Sequence, residues 1–246
     1  MSNTNNKKRK LSRPRVTLPQ KIIPFKNSDK KWHESWTEGR DLLDFPHPYR
    51  ITMTGPPNSG KSTAVMNVLL RSNPMFERVI VIYPGGQQGT SEYDTLGEGV
   101  EYLMEIPEPD FFPAVKNKAS KTLVIVDDFE LKEIGRKQRA NLDRLIGHVS
   151  THRNVSVMLC AQEYFNVPTI ARRCSNVQVF WKPRDMRNLG QMSQRVGQDL
   201  EELFKLCQSQ KDSIWVDLTS RSPAPLRLNG YSIISRTEDN AVGEAQ

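Results

Sequence analysis

Arg50-Ile51-Thr52-Met53-Thr54-Gly55-Pro56-Pro57-Asn58-Ser59-Gly60-Lys61-Ser62-Thr63 is the stretch on which the fold turns. Arg50 to Thr54 reads as a short strand, Gly55 to Ser62 matches G-x-x-x-x-G-K-[ST] in full, and Lys61 to Arg71 is helical in pattern. A strand entering that spacing and a helix leaving it is the context in which it binds phosphate. Glycines let backbone N–H groups close around phosphate oxygens, and the helix N-terminus adds the positive end of its dipole. Gly55, Pro56, Pro57, Asn58, Ser59, Gly60, Lys61, Ser62 and Thr63 are therefore expected to line ATP. Lys61 is expected to reach the β- and γ-phosphates, Ser62 to ligate Mg²⁺, and Thr63 to touch the phosphates nearer the adenosine. The alternative is a glycine-rich turn without a ligand.

A second acidic motif must hold the metal. Leu123-Val124-Ile125-Val126-Asp127-Asp128 is an apolar run ending in two carboxylates, a Walker B pattern. A buried strand that stops in acids delivers them to the carboxyl edge of a sheet, where ligands of open α/β folds collect. Asp127 is expected to hold Mg²⁺ through water. Asp128 is then the candidate base that orients or deprotonates the attacking water, with Glu130 as a fallback. Either acid alone would also read as a helix cap after an ordinary strand.

The surrounding chain alternates β-like and helical runs. Arg78 to Tyr83, Thr122 to Asp127, Val155 to Ala161 and Val177 to Trp181 read as strands; Arg136 to Val149 and, more weakly, Pro168 to Cys174 read as helices. In the first of these helices Leu142, Leu145, Ile146 and Val149 recur at i, i+3, i+4 and i+7, one face of a 3.6-residue period. Such alternation predicts an α/β fold: a mostly parallel sheet covered by helices on both faces. After Pro183 come further helical segments and two terminal strands, Ser213 to Leu218 and Leu226 to Ile234. The loop Gly85-Gly86-Gln87-Gln88-Gly89 has no pattern and reads as a flexible hairpin or a substrate loop. The expected organisation is a basic disordered tail over residues 1–31, one ATPase domain over 32–235, and a disordered tail over 236–246. No apolar run approaches the roughly 18 residues a membrane span needs, and the N-terminus lacks the apolar core of a signal peptide. Cys160, Cys174 and Cys207 lack zinc-site spacing and read as reduced thiols, Cys160 within a strand.

The formal charge is +7, but its placement decides its meaning. Residues 1–31 carry ten Lys or Arg and one acid, Asp29, giving +9; the remainder holds 25 basic and 27 acidic residues, giving −2. The tail supplies sequence-independent, salt-sensitive attraction to phosphate. Its Lys7-Lys8-Arg9-Lys10 run equally fits a nuclear import signal, and a solvated leader with neither role is the third reading. On the near-neutral body, Arg136, Lys137, Arg139, Arg144, Lys182, Arg184 and Arg187 read either as solvated faces or as a DNA track.

Val155 to Ala161 ends at Gln162, and a polar amide at the end of a strand beside Walker B can touch the γ-phosphate or its water. The alternative is a turn residue at a strand end. From Arg50 to Thr63, through Phe76 to Pro84, Asp127-Asp128, Thr151-His152-Arg153, Gln162, Val167 to Arg172, Asn176 to Trp181 and Ile214 to Leu218, the chain resembles the FtsK/HerA superfamily. Within it, the order of motifs is similar to the poxvirus-type genome-packaging ATPases of eukaryotic DNA viruses and virophages, over roughly residues 45–235. Where that family often reads Arg-His, this chain has His152-Arg153.

The resemblance implies a RecA-like P-loop core and a homo-oligomeric ring, hexamer or pentamer. It further implies ATP between neighbours, double-stranded DNA through the centre, capsid proteins or a capsid vertex as partner, and residence in the virion and host cell. It makes Gln162 a sensor and Arg153 the candidate arginine that completes a neighbour's site, with Arg172 and Arg173 next. Other classes remain in view: a different ring ATPase such as a helicase, a small-molecule or nucleoside kinase, or an ATP-binding virion scaffold.

Overall fold

In the computed structural model, residues 45, 47–72, 75–83, 93, 99–113, 121–127, 131, 134–219 and 225–235 are described. The short apolar runs become strands: β1 (Arg50–Thr54), β2 (Arg78–Ile82), β3 (Val100–Leu103), β4 (Thr122–Val126), β5 (Val155–Ala161), β6 (Val177–Trp181), β7 (Ser213–Asp217), β8 (Leu226–Leu228) and β9 (Ser232–Ile233). They form one nine-stranded sheet in the order β3-β2-β4-β5-β1-β6-β7-β8-β9. The pairings from β3 across to β6 are parallel, and those from β6 to β9 are antiparallel. Central parallel strands are covered on both faces, which is why β5 is buried along its whole length and reads as an unbroken apolar run.

Side chains alternate between two cores, as the two-residue strand period requires. On one face Met53, Leu123, Ile125 and Met158 pack with Val65, Val68 and Leu69 of α1 (Lys61–Leu70). On the other face Val124, Val126, Val157 and Leu159 meet Leu142, Leu145, Ile146 and Val149. The antiparallel wing has its own core, where Phe180, Ile214 and Val216 pack on the helices at Leu189–Val196 and Leu200–Phe204. The mostly parallel sheet with helices on both faces is therefore the fold of this chain. No helix among the described residues is long and apolar enough to cross a membrane.

Several local expectations change. The helix anticipated from Arg136 to Val149 is α2 (Arg136–Arg144), a π-helical turn over Leu145–Val149, and α3 (Ser150–His152). Its four expected core residues are all buried, but the widened turn places Gly147 against α4 (Thr169–Cys174). A Cβ there would lie 2.9 Å from Ile170 Cδ1, so a larger residue would require the tip of that side chain to shift. The run Leu226–Ile234 is not one strand. Asn229 (φ 54°) and Gly230 (φ 79°) adopt left-handed backbone, which turns the chain back on itself between β8 and β9. β3 was not anticipated: it is an edge strand with no fully buried residue, so its composition carries little signal. The tails, the loop 85–89, Asp128 and Glu130 lie outside the described residues.

Candidate active site

The topology brings the predicted motifs to one edge. Because β5 lies between β1 and β4, and the register pairs Thr54 with Ala161 and Val126 with Leu159, the next residues along are Gly55, Gln162 and Asp127. With strands about 4.8 Å apart, the phosphate loop, Gln162 and Asp127 share the carboxyl edge of three adjacent strands. Gly55 N–H continues the ladder to the Ala161 carbonyl at 3.1 Å, and Asp127 N–H donates to the Ile82 carbonyl at 3.2 Å.

The loop is compact. Asn58 (φ 60°) and Gly60 (φ 104°) provide its two left-handed turns, and Ala64 N–H donates to the Gly60 carbonyl at 2.9 Å to start α1. Lys61 Nζ donates to the Gly55 and Pro56 carbonyls at 2.8 and 2.9 Å, so the ammonium lies folded over the loop. Gly55 itself is fixed by close approach: a Cβ would stand 2.6 Å from Trp181 Cβ and 3.0 Å from Ser59 Oγ. The Ser59 hydroxyl is buried without a hydrogen-bond partner among the described residues.

Ser62 and Asp127, the two residues assigned to the metal, meet. Ser62 Oγ donates to Asp127 Oδ2 at 3.3 Å. A hydroxyl and a carboxylate at a helix N-terminus are the oxygen donors that suit Mg²⁺, a small hard cation that keeps much of its water. The donor set therefore fits the implied metal, and the first N–H groups of α1, which have no intrahelical acceptor, fit a phosphate. Thr63 is exposed on the first turn of α1.

Two further residues at this edge have no counterpart in the sequence reading. Tyr93 is buried, and its hydroxyl donates to Asp127 Oδ2 at 2.5 Å. Lys211 Nζ donates to the Asn58 carbonyl, while the Lys211 carbonyl accepts the Trp181 indole N–H at 3.1 Å. Neither belongs to a motif. Tyr93 sits in a stretch without periodicity, and Lys211 immediately precedes β7, which begins at this edge because it runs antiparallel to β6.

Gln162 is exposed and lies in the wall of a cavity of about 230 Å³, together with Thr54, Gly55, Pro56, Tyr164 and Arg184. Arg172 stands behind that wall, its guanidinium 5.2 Å from the Tyr164 ring centre and 5.6 Å from that of Phe165. Arg173 is exposed on the same helix. Arg153 is elsewhere. It precedes β5 and so lies at the opposite edge, about 23 Å away at the usual rise over the strand's seven residues. There its guanidinium donates to the Phe112 carbonyl and pairs with Asp110 at 3.6 Å. The structure does not bring Arg153 into its own chain's site. Among the basic residues of the body, Lys137 pairs with Glu108, Arg187 with Asp185, and Arg139 donates to the Leu131 carbonyl. Arg136, Arg144, Lys182 and Arg184 are exposed.

A phosphate loop on β1, an acid on β4 and one parallel strand between them define the fold of P-loop NTPases. Comparison with solved structures agrees. The chain is similar to the genome packaging NTPase B204 from Sulfolobus turreted icosahedral virus 2 in complex with AMPPCP, at 17% identity and TM-score 0.51, covering 73% of this chain and 96% of that one. The sulfate complex of the same NTPase gives 18% identity and TM-score 0.50, covering 73% and 95%. The DNA-packaging ATPase B204 from Sulfolobus Turreted Icosahedral Virus gives 12% and 0.50, covering 74% and 97%. No protein-family model matches the chain, and a search of curated proteins returned no match.

Proposed function

We propose that this chain is an ATP-hydrolysing motor that drives double-stranded DNA into a viral capsid, working as a homo-oligomeric ring of the poxvirus-type packaging ATPases. The observation that carries the reading is β5, inserted between the phosphate-loop strand and the Asp127 strand with Gln162 at its end. A bound nucleotide's terminal phosphate would then face a polar amide as well as the metal-holding acid. Support for the DNA half of the reading comes from the order of motifs along the chain and from likeness to packaging NTPases over nearly their whole length. The +9 tail adds a charge that favours duplex DNA without regard to sequence.

In this reading the loop amides and the α1 N-terminus hold the phosphates, and Lys61 exchanges its loop carbonyls for phosphate oxygens. Ser62 and Asp127 would hold Mg²⁺, which when bound would supply charge neutralisation at the phosphates. Asp128 is the base for the attacking water, and Gln162 orients that water or senses the γ-phosphate. Arg153, placed away from its own site, would serve a neighbour's, where an arginine can raise the rate by about 10³ or more.

The test is phosphate release by the full chain with and without long duplex DNA. Stimulation by the duplex supports a DNA motor. Separation of the two strands of the duplex itself with ATP would make it a helicase, phosphorylation of a small acceptor would make it a kinase, and no phosphate release at all would leave a scaffold.

A further inference from the structure

Asp127 is gripped from the core side by a residue distant in sequence. Tyr93 is 2% exposed, and its ring belongs to the same apolar cluster as Val65, Ile125 and Cys160. From there its hydroxyl donates to Asp127 Oδ2 at 2.5 Å, the oxygen that also accepts from Ser62 at 3.3 Å. Two hydroxyls thus converge on one carboxylate oxygen, one from the phosphate-loop helix and one from the core. Their positions differ. Ser62 is half-exposed at the loop, where a cation would be held, whereas Tyr93 is enclosed by apolar side chains.

A carboxylate that holds a metal is a flexible ligand unless an outer partner fixes it. Such partners set the orientation of the ligand, and their removal typically costs 10–100-fold in metal affinity. A short bond from a phenol that core packing immobilises is a partner of this kind. A purely packing role would not require the hydroxyl, because phenylalanine fills the same apolar volume.

We propose that Tyr93 is a positioning residue of the metal site: through its hydroxyl it fixes the Asp127 carboxylate, and so sets affinity for the divalent cation without touching it. The inference rests on Ser62 and Asp127 as the metal-holding pair. The experiment compares wild type, Tyr93→Phe and Asp127→Asn, each as the full chain, by binding of a fluorescent ATP analogue. Affinity is measured first in EDTA and then during a Mg²⁺ titration, and Mn²⁺ binding is followed by electron paramagnetic resonance.

Tyr93→Phe is expected to bind the nucleotide as wild type does in EDTA but to need about 10–100-fold more Mg²⁺ or Mn²⁺ for half-saturation. Equal metal half-saturation in Tyr93→Phe and wild type overturns the role of Tyr93 while leaving the metal site standing, provided Asp127→Asn is weakened. A loss equal in EDTA and in Mg²⁺ also overturns it, since that pattern marks damaged packing. If metal has no effect on the wild type, the metal-site reading itself fails and this inference fails with it.

Discussion

Gly55→Ala is a single-methyl change whose consequence can be worked from the geometry. The added Cβ would lie 2.6 Å from Trp181 Cβ, and ordinary contact begins near 3.4 Å, so the two must part by about 0.8 Å. No rotamer relieves this, because both atoms are fixed by backbone. The backbones are held in register by the β1–β6 ladder, in which Thr54 pairs with Phe180. Overpacking of a rigid site costs about 1–3 kcal/mol, and in a domain of this size each kcal/mol lowers Tm by about 2–4 °C. The expected fall is therefore about 2–12 °C. Nucleotide affinity should fall as well, because the strain is relieved most easily by moving the loop that starts at Gly55. The assay is thermal melting beside binding of a fluorescent ATP analogue. Trp181→Ala added to Gly55→Ala removes the ring but keeps the Cβ, so it should not restore the loop. A Gly55→Ala protein that melts with the wild type and binds nucleotide equally well would mean that the Gly55–Trp181 contact does not constrain the loop.

Three more outcomes are expected. Lys211→Ala frees the Asn58 carbonyl and should weaken ATP binding about threefold to tenfold, with Lys211→Arg closer to wild type, as a titration would read. His47 is buried against Ser156, and burial with the nearby Lys121 charge lowers its pKa from 6.5 to about 3. Between those values the unfolded chain binds the proton and the folded chain does not, so stability is full above pH 6.5 and declines as pH falls, by up to about 1.4 kcal/mol per unit. Denaturant melts of His47→Asn should show a flatter decline; an unchanged slope would assign it to other groups. If Arg153 completes a neighbour's site in a ring, as proposed, Arg153→Ala alone should be inactive yet regain ATPase activity when mixed with Lys61→Ala; full activity of Arg153→Ala by itself removes it from catalysis.

What was legible in the sequence was whatever a short local pattern carries. The phosphate loop, the strand ending in Asp127 and the fully buried strand before Gln162 are each contiguous, and each fixes one strand end. Bringing them to a single edge needs only the parallel order of the sheet. Contacts that depend on the path of the chain were not legible. Tyr93 and Lys211 reach the site from segments without periodicity, and no spacing announces them. The π turn at Leu145–Val149 keeps the same buried face as an α-helix would, so hydrophobic periodicity could not distinguish the two. The hairpin at Asn229-Gly230 did carry a turn signal, which the apolar run on either side masked. Arg153, adjacent to β5 in sequence, sits at the far end of that strand from its own site, and whether it completes a neighbour's site is a matter no pattern within one chain can carry.

The activity proposed for this chain is movement along duplex DNA driven by ATP. The direct measurement is displacement of a third strand annealed to a linear duplex, followed in time with ATP and Mg²⁺ for wild type and Lys61→Ala. ATP-dependent displacement is expected of the wild type, delayed in proportion to the length of duplex before the triplex, and none of Lys61→Ala. A wild type that hydrolyses ATP but never displaces the third strand, or a Lys61→Ala chain that still does, would contradict it.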